Sequence, residues 1–150
     1  MEISLTGSDT VMINQTVIQG FADGDIADLK FPNAIAAVKT GKNGNSIYSY
    51  NATGKQAELT IRLIRGSADD KYLNGILAQQ LANFAGTFLM SGLFVKKLGD
   101  GAGNIASDTY IMSGGVFTKI PEAKSNVEGN PDQSVVIYTI MFSNSPRIIS

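Results

Sequence analysis

At 150 residues the chain is the size of one compact domain, and residues 1–150 read as a single unit able to bury a real core. Hydrophobic residues make up 43% and charged residues only 17%, which implies a globular protein whose surface is short of charge. Lys+Arg number 12 against 13 Asp+Glu, with no cysteine and no histidine. That excludes disulfides, zinc–thiolate sites, thiol nucleophiles and imidazole chemistry, and it argues against a dedicated nucleic-acid binder.

The opening residues Met1–Ser4 have neither the basic nor the apolar region of a signal peptide. No apolar run approaches the ~18 residues of a bilayer span. The expectation is therefore a chain without a membrane anchor, made in a cytoplasm. Thr10–Ile18 reads as a tight hairpin turning at Asn14-Gln15, and Ile26–Phe31, Ile35–Thr40 and Ile47–Asn51 are further strand candidates. Gln56–Arg65 alternates cleanly: Ala57, Leu59, Ile61 and Leu63 face one way, and Glu58, Thr60 and Arg62 the other.

Ser67 followed by Asp69 and Asp70 predicts a helix start, because a serine cap and early acidic residues both satisfy the helix N-terminus. Leu73, Ile76, Leu77, Leu81 and Phe84 then fall on one face, so the helix is expected over about 68–84. Its other face is small rather than charged. Gly75, Ala78 and Ala82 lie there, and such a face suits either solvent or the close approach of another subunit.

Beyond the helix, strands are expected at Gly86–Leu98, Asp108–Ser113, Val116–Ile120 and Ser134–Ser143. Turn-rich segments separate the strands at Gly41–Ser46, Gly99–Asn104 and Pro121–Gln133. The last strand is apolar on both faces, with Val136, Tyr138, Ile140 and Phe142 opposite Val135, Ile137, Thr139 and Met141. Gly86–Val95 behaves similarly. A sandwich strand in a monomer normally wets one face, so Tyr138, Ile140 and Phe142 join Gly75, Ala78 and Ala82 as candidate subunit-interface residues. Many short strands with regular turns indicate a mainly β fold: an antiparallel β-sandwich or barrel with one flanking helix.

No motif carries catalysis or a cofactor. Asp23, Asp25 and Asp28 lack the remaining ligands of a calcium loop, since Ala27, Asp28 and Ala34 occupy the positions that would matter. Gly99–Asn104 lacks the Gly-Lys-Ser/Thr ending of a phosphate loop. Adjacent helical residues point about 100° apart, so Asp69 and Asp70 read as capping groups rather than an acid–base pair. The chain is not expected to be an enzyme. A monomeric carbohydrate-binding sandwich is a rival of another class, but such modules use exposed Trp and Tyr, and here there is no Trp and five Tyr.

Charge is uneven along the chain. Glu2, Asp9, Asp23, Asp25 and Asp28 precede a basic stretch that contains Lys39, Lys42, Lys55, Arg62, Arg65 and Lys71. Opposite patches of this kind can neutralise within a chain or steer copies head to tail.

The segments Phe21–Asp25, Phe31-Pro32-Asn33, Val38–Tyr50 and Leu63–Leu73, in this order, resemble the tail-tube (inner tube) proteins of contractile-tailed bacteriophages, a family of small phage structural proteins formerly of unknown function. The resemblance implies hexameric rings stacked into a tube within the virion tail, assembled in the host cytoplasm and serving as a conduit for the genome. It further implies partnership with a tail sheath, a tape-measure protein, tail terminator and baseplate proteins, and non-specific passage of double-stranded DNA. A phage-like bacteriocin or type VI secretion tube is the related alternative. On this basis Lys39, Lys42, Asn43, Asn45 and Lys55 are inter-ring loop candidates, ordering against an acidic surface of the adjacent ring. Glu58, Thr60 and Arg62 are lumen candidates, with Glu58 and Arg62 of adjacent copies cancelling each other's charge.

Overall fold

The computed structural model describes residues 2–150. Eleven strands and one long helix follow one another as β1 (Ser4–Leu5), β2 (Thr10–Ile13), β3 (Thr16–Val17), β4 (Ala27–Lys30), β5 (Ala36–Thr40), β6 (Ser46–Tyr50), β7 (Ala57–Ile64), α1 (Ala68–Ala82), β8 (Met90–Gly99), β9 (Ile105–Phe117), β10 (Val135–Asn144) and β11 (Arg147–Ile149). Nine strands form one antiparallel sheet in the order β3-β2-β8-β9-β10-β7-β4, with β1 added to β8 and β11 added to β9. β5 and β6 form a separate two-stranded ribbon. The architecture is the mainly antiparallel β fold with one helix that the sequence implies.

The alternation read in the sequence governs the centre of the sheet. Ala57, Leu59, Ile61 and Leu63 on β7 are completely buried, and so are Tyr138, Ile140 and Phe142 on the neighbouring β10 within about one percent. Val11 and Ile13 on β2 belong to the same core as these, so the sheet bends round one interior with α1 laid against it. Asn14 and Gln15 form the β2–β3 turn with φ of 49° and 67°, the left-handed pair that a two-residue hairpin requires.

Three expectations change on contact with the structure. Tyr138, Ile140 and Phe142 are core residues rather than interface residues, because α1 and the bent sheet cover that face of β10 within the chain. β9 is one strand where two were expected: Gly114 adopts φ +67°, and a side chain at Gly115 would sit 2.5 Å from the Phe142 ring. The two glycines bend a continuous strand instead of ending one. Finally, α1 stops at Ala82, Asn83 caps a short 3-10 turn at Phe84–Gly86, and β8 begins only at Met90.

The last change reassigns the buried face of the helix. Leu73 and Leu77 are buried as expected, but Leu81 is 62% exposed and Phe84, beyond the helix, is 66% exposed. Gln80 takes the inner position. Its Nε2 donates to the Phe117 carbonyl at 2.8 Å and its Oε1 accepts from the Phe117 N–H at 2.9 Å, so the amide completes the hydrogen bonds of the last residue of β9. Buried backbone groups left without partners are costly, which makes this glutamine a structural residue.

These positions separate in a chemical denaturation series. Leu77→Ala is expected to lower stability by roughly 2–5 kcal/mol through loss of buried contacts and the cavity left behind. Gln80→Ala is expected to lose roughly 1–3 kcal/mol for the Phe117 groups it strands. Leu81→Ala, at an exposed site, should stay within about 0.5 kcal/mol of the unsubstituted chain.

Candidate assembly surfaces

The β5–β6 ribbon stands out from the body of the domain. Ala36↔Tyr50, Val38↔Tyr48 and Thr40↔Ser46 share one face of it, with Lys39↔Ile47 and Ala37↔Ser49 on the other. Every residue of both strands is exposed, Tyr48 by 77% and Ile47 by 71%. Apolar groups thus lie in water on both faces. An isolated two-stranded ribbon is marginal in water, because it buries too little to offset its lost entropy.

The base of this arm is built firmly. Phe31 packs on Tyr110 at 6.3 Å between ring centroids, and Tyr110 in turn meets Phe94 edge-on. Asn33 donates to the Thr53 carbonyl and to Gln56 Oε1. A side chain at Gly54 would fall 2.6 Å from Ile35 Cα, so only glycine lets the two legs of the arm meet there. The tip turns over Gly41–Asn45, where the Gly41 N–H reaches the Asn45 carbonyl and the Gly44 N–H the Gly41 carbonyl.

The loop candidates sit on this arm. Lys39 lies on β5, Lys42, Asn43 and Asn45 on the tip, and Lys55 at the base, where its ammonium lies 5.9 Å from the Tyr50 ring. Among the described residues, none of the three lysines is in an ion pair.

Glu58, Thr60 and Arg62 are half-buried along the face of β7 that points away from the core. In register beside them run Lys30 and Asp28 on β4, and Met141, Thr139 and Ile137 on β10. Both cations of this face are paired inside the chain. Arg62 Nη2 lies 3.3 Å from Asp23 Oδ1 while its Nε donates to the Asp23 carbonyl, and Lys30 pairs with Asp28 at 3.3 Å. Within the chain Arg62 is thus held by Asp23, which the bend after Phe21 brings over β7, and among the described residues Glu58 is in no ion pair. Gly75, Ala78 and Ala82 form an exposed face of α1, and a side chain added at Gly75 would meet nothing within 4 Å.

Asp69 and Asp70 do more than the capping their sequence position implies. Ser67 caps the helix by accepting from the Asp70 N–H at 3.2 Å. Asp69 accepts from the N–H groups of Gln19 and Gly20 at 2.7 and 2.6 Å, which ties the chain after β3 to the helix start. Asp70 accepts from the Tyr138 hydroxyl at 2.6 Å and from the Gly66 N–H at 2.7 Å. Burial, and then the Asp70 carboxylate, push the Tyr138 hydroxyl above the ordinary phenol range. The phenol therefore stays protonated and acts as a donor. Nothing in the sequence marks the contacts to Gln19, Gly20 and Tyr138, because these partners are distant along the chain.

At the other end of the sheet Arg147 makes a two-pronged bond to Asp108, Nε and Nη2 each at 2.8 Å from a carboxylate oxygen. The guanidinium also lies 5.7 Å from the Tyr110 ring, so it clasps β11 to β9 beside the Phe31 contact. The hydrogen bond from Arg147 holds the Asp108 carboxyl below its usual range.

No family model and no curated protein sequence matches the chain. Solved structures do. A chain from the sheath–tube complex of an extracellular contractile injection system, PVC, in its extended state is 12% identical, with a TM-score of 0.62 over 95% of this chain and 87% of that one. The tube-terminating cap of the anti-feeding prophage, AFP, is 12% identical, with a TM-score of 0.62 over 97% and 90%. A chain of the PVC sheath/tube terminator is 13% identical, with a TM-score of 0.55 over 97% and 94%. The chain therefore has the fold seen in these contractile-injection structures, in agreement with the resemblance read from the sequence.

The Asp108–Arg147 clasp makes a pH-dependent prediction. Because the folded carboxyl is held below its unfolded value, the clasp stabilises above about pH 4 and is lost as pH falls through the depressed folded value. Arg147 is half-exposed, so the effect is modest. Asp108→Asn should lower the melting temperature at neutral pH, with the difference from the unsubstituted chain shrinking steadily below pH 4.

Proposed function

We propose that the chain is a structural tube subunit of a contractile injection apparatus, with copies closing into hexameric rings that stack into a hollow conduit. The arm carries this reading. A ribbon with Tyr48, Tyr50 and Val38 on one face and Ile47 on the other, all in water, needs a surface to order against, and identical copies supply one at every level of a stack. The unpaired Lys39, Lys42 and Lys55 suit an acidic surface on the neighbour. The fold likeness to chains of sheath–tube and cap assemblies supports the same role.

Within this reading Glu58, Thr60 and Arg62 line the lumen, and Gly75, Ala78 and Ala82 meet a neighbouring subunit. The expected partners are a sheath outside, a tape-measure protein inside before double-stranded DNA, and terminator and baseplate proteins at the ends. The subunit does no catalysis. A phage tail is the first setting, with assembly in the host cytoplasm. A phage-like injection device is the second, favoured by the likeness to the PVC and anti-feeding-prophage chains.

A conduit must not grip what slides through it, since each neutralised phosphate adds salt-sensitive affinity. The neutralisation of Arg62 by Asp23 and of Lys30 by Asp28 fits that requirement. Light scattering coupled to size exclusion, with electron microscopy, is expected to find rings or tubes. Shortening Gly41–Ser46 should leave cooperative melting intact and stop tube growth. A stable monomer under all salt conditions would contradict the proposal, as would sub-micromolar duplex binding by tubes at about 0.15 M salt for the passive conduit.

A further inference from the structure

β10 is paired with β7 along its whole core-facing run, but with β9 only from Ile140 onward. The last contact on that side is the Thr118 N–H to the Thr139 carbonyl. From Val135 to Tyr138 the edge of β10 therefore has no strand beside it. Lys119–Glu122 runs past at a distance, and the Arg65 guanidinium bridges the gap by donating to the Glu122 carbonyl at 2.9 Å and the Val135 carbonyl at 3.2 Å.

A cavity opens on each side of this edge. On the outer side lies one of about 380 Å³ whose walls bring together Arg62, Arg65, Lys119 and Lys124, with Glu122 and Asp132 as the opposing charges. Among the described residues neither lysine is in an ion pair. On the helix side lies one of about 340 Å³ with mixed walls, where an aliphatic strip of Leu77, Ala78, Leu81, Ile120 and Pro121 faces the polar groups of Asp70, Lys71 and Asn74. An added strand points successive side chains to opposite faces. The slot thus suits a segment that alternates acidic or polar with aliphatic residues, the pattern by which edge-strand recognition obtains specificity.

The chain contains such a segment. In Glu2-Ile3-Ser4-Leu5, extended geometry puts Glu2 and Ser4 on one face and Ile3 and Leu5 on the other. It is lightly held where it lies. β1 makes two ladder pairs with β8, Ser4↔Gly99 and Leu5↔Leu98, and Ile3 and Leu5 remain 59% and 77% exposed. We propose that in the assembly Glu2–Leu5 of one copy leaves β8 and adds to the open edge of β10 in the next copy, with Glu2 entering the cationic cavity and Ile3 and Leu5 lying against the aliphatic strip of the helix-side groove. Lys119–Pro121 swings outward to admit it, and Arg65, freed from the Glu122 carbonyl, joins the cations that face Glu2. The exchange rests on the self-assembly proposed above, and it links copies by backbone hydrogen bonds in addition to the arm.

The absence of cysteine makes the exchange readable by cross-linking. Leu5 and Leu81 are both exposed, so Leu5→Cys and Leu81→Cys leave the core untouched. Mixed under assembly conditions with a short bifunctional thiol reagent, the two single variants should yield a joined heterodimer, and the double variant a ladder of covalent multimers. Lys124→Glu should reduce the yield several-fold, and adding Glu2→Lys should restore it. Assembly with no such cross-link overturns the exchange alone. A cross-link to Leu81→Cys from Val38→Cys on the arm, in place of Leu5→Cys, assigns the groove to the arm and likewise overturns it. Failure of the unsubstituted chain to assemble overturns the proposed function, and the exchange with it.

Discussion

The ladder between β7 and β10, eight consecutive pairs from Val135↔Ile64 to Phe142↔Ala57, is the constraint on which the rest of the molecule depends. It fixes the register that turns Leu59, Ile61, Tyr138 and Ile140 inward together, and a slip of either strand by one residue would turn that strand's apolar set outward. α1 docks on the surface so formed. Asp70 binds the Tyr138 hydroxyl, and Gln80 closes the end of β9. Because the interior is satisfied by one chain, the core itself makes no demand for partners.

The demand comes from the periphery. The arm, the exposed end of α1 around Leu81 and Phe84, the segment Ile3–Leu5 and the isolated apolar residues Ile120 and Val127 all leave aliphatic or aromatic surface in water. Most of that surface stands on parts whose bases are carefully fixed, as Phe31, Asn33 and Gly54 fix the arm. A rigid base beneath an unpartnered surface is the arrangement expected of a subunit that orders its contacts only on assembly. Charge supports the same division: Arg62, Lys30 and Arg147 are matched within the chain, and the lysines of the arm are not.

Much of this was legible in the sequence wherever one face of an element is buried along its full length. The alternation of Gln56–Arg65 and the Asn14-Gln15 turn are local signals with one structural solution, and Ser67 marks the helix start for the same reason. Periodicity fails where an element runs past its support. The apolar stripe of α1 continues through Leu81 and Phe84, but the helix by then has left the sheet, and Gln80 is drawn inward by backbone groups of Phe117 that no local pattern reveals. Gly114-Gly115 looks like a break because glycine serves bends and turns alike. The two apolar faces of β10 suggested an interface at Tyr138, Ile140 and Phe142 because sequence cannot tell cover by a helix of the same chain from cover by a neighbour. The arm was legible as two short strands around a Gly/Asn turn with unmatched lysines. The open edge of β10 was not, since it arises from where β9 departs.

Amide hydrogen exchange, compared between dilute subunits and assembled material, tests most directly the claim that the arm is ordered by partners rather than by its own fold. The account predicts that amides of β5 and β6 exchange rapidly in the dilute chain while those of β7 and β10 are strongly protected, and that assembly confers protection on the arm. Strong protection of β5 and β6 in the dilute monomer would contradict it, as would an arm that exchanges equally fast in the assembled state.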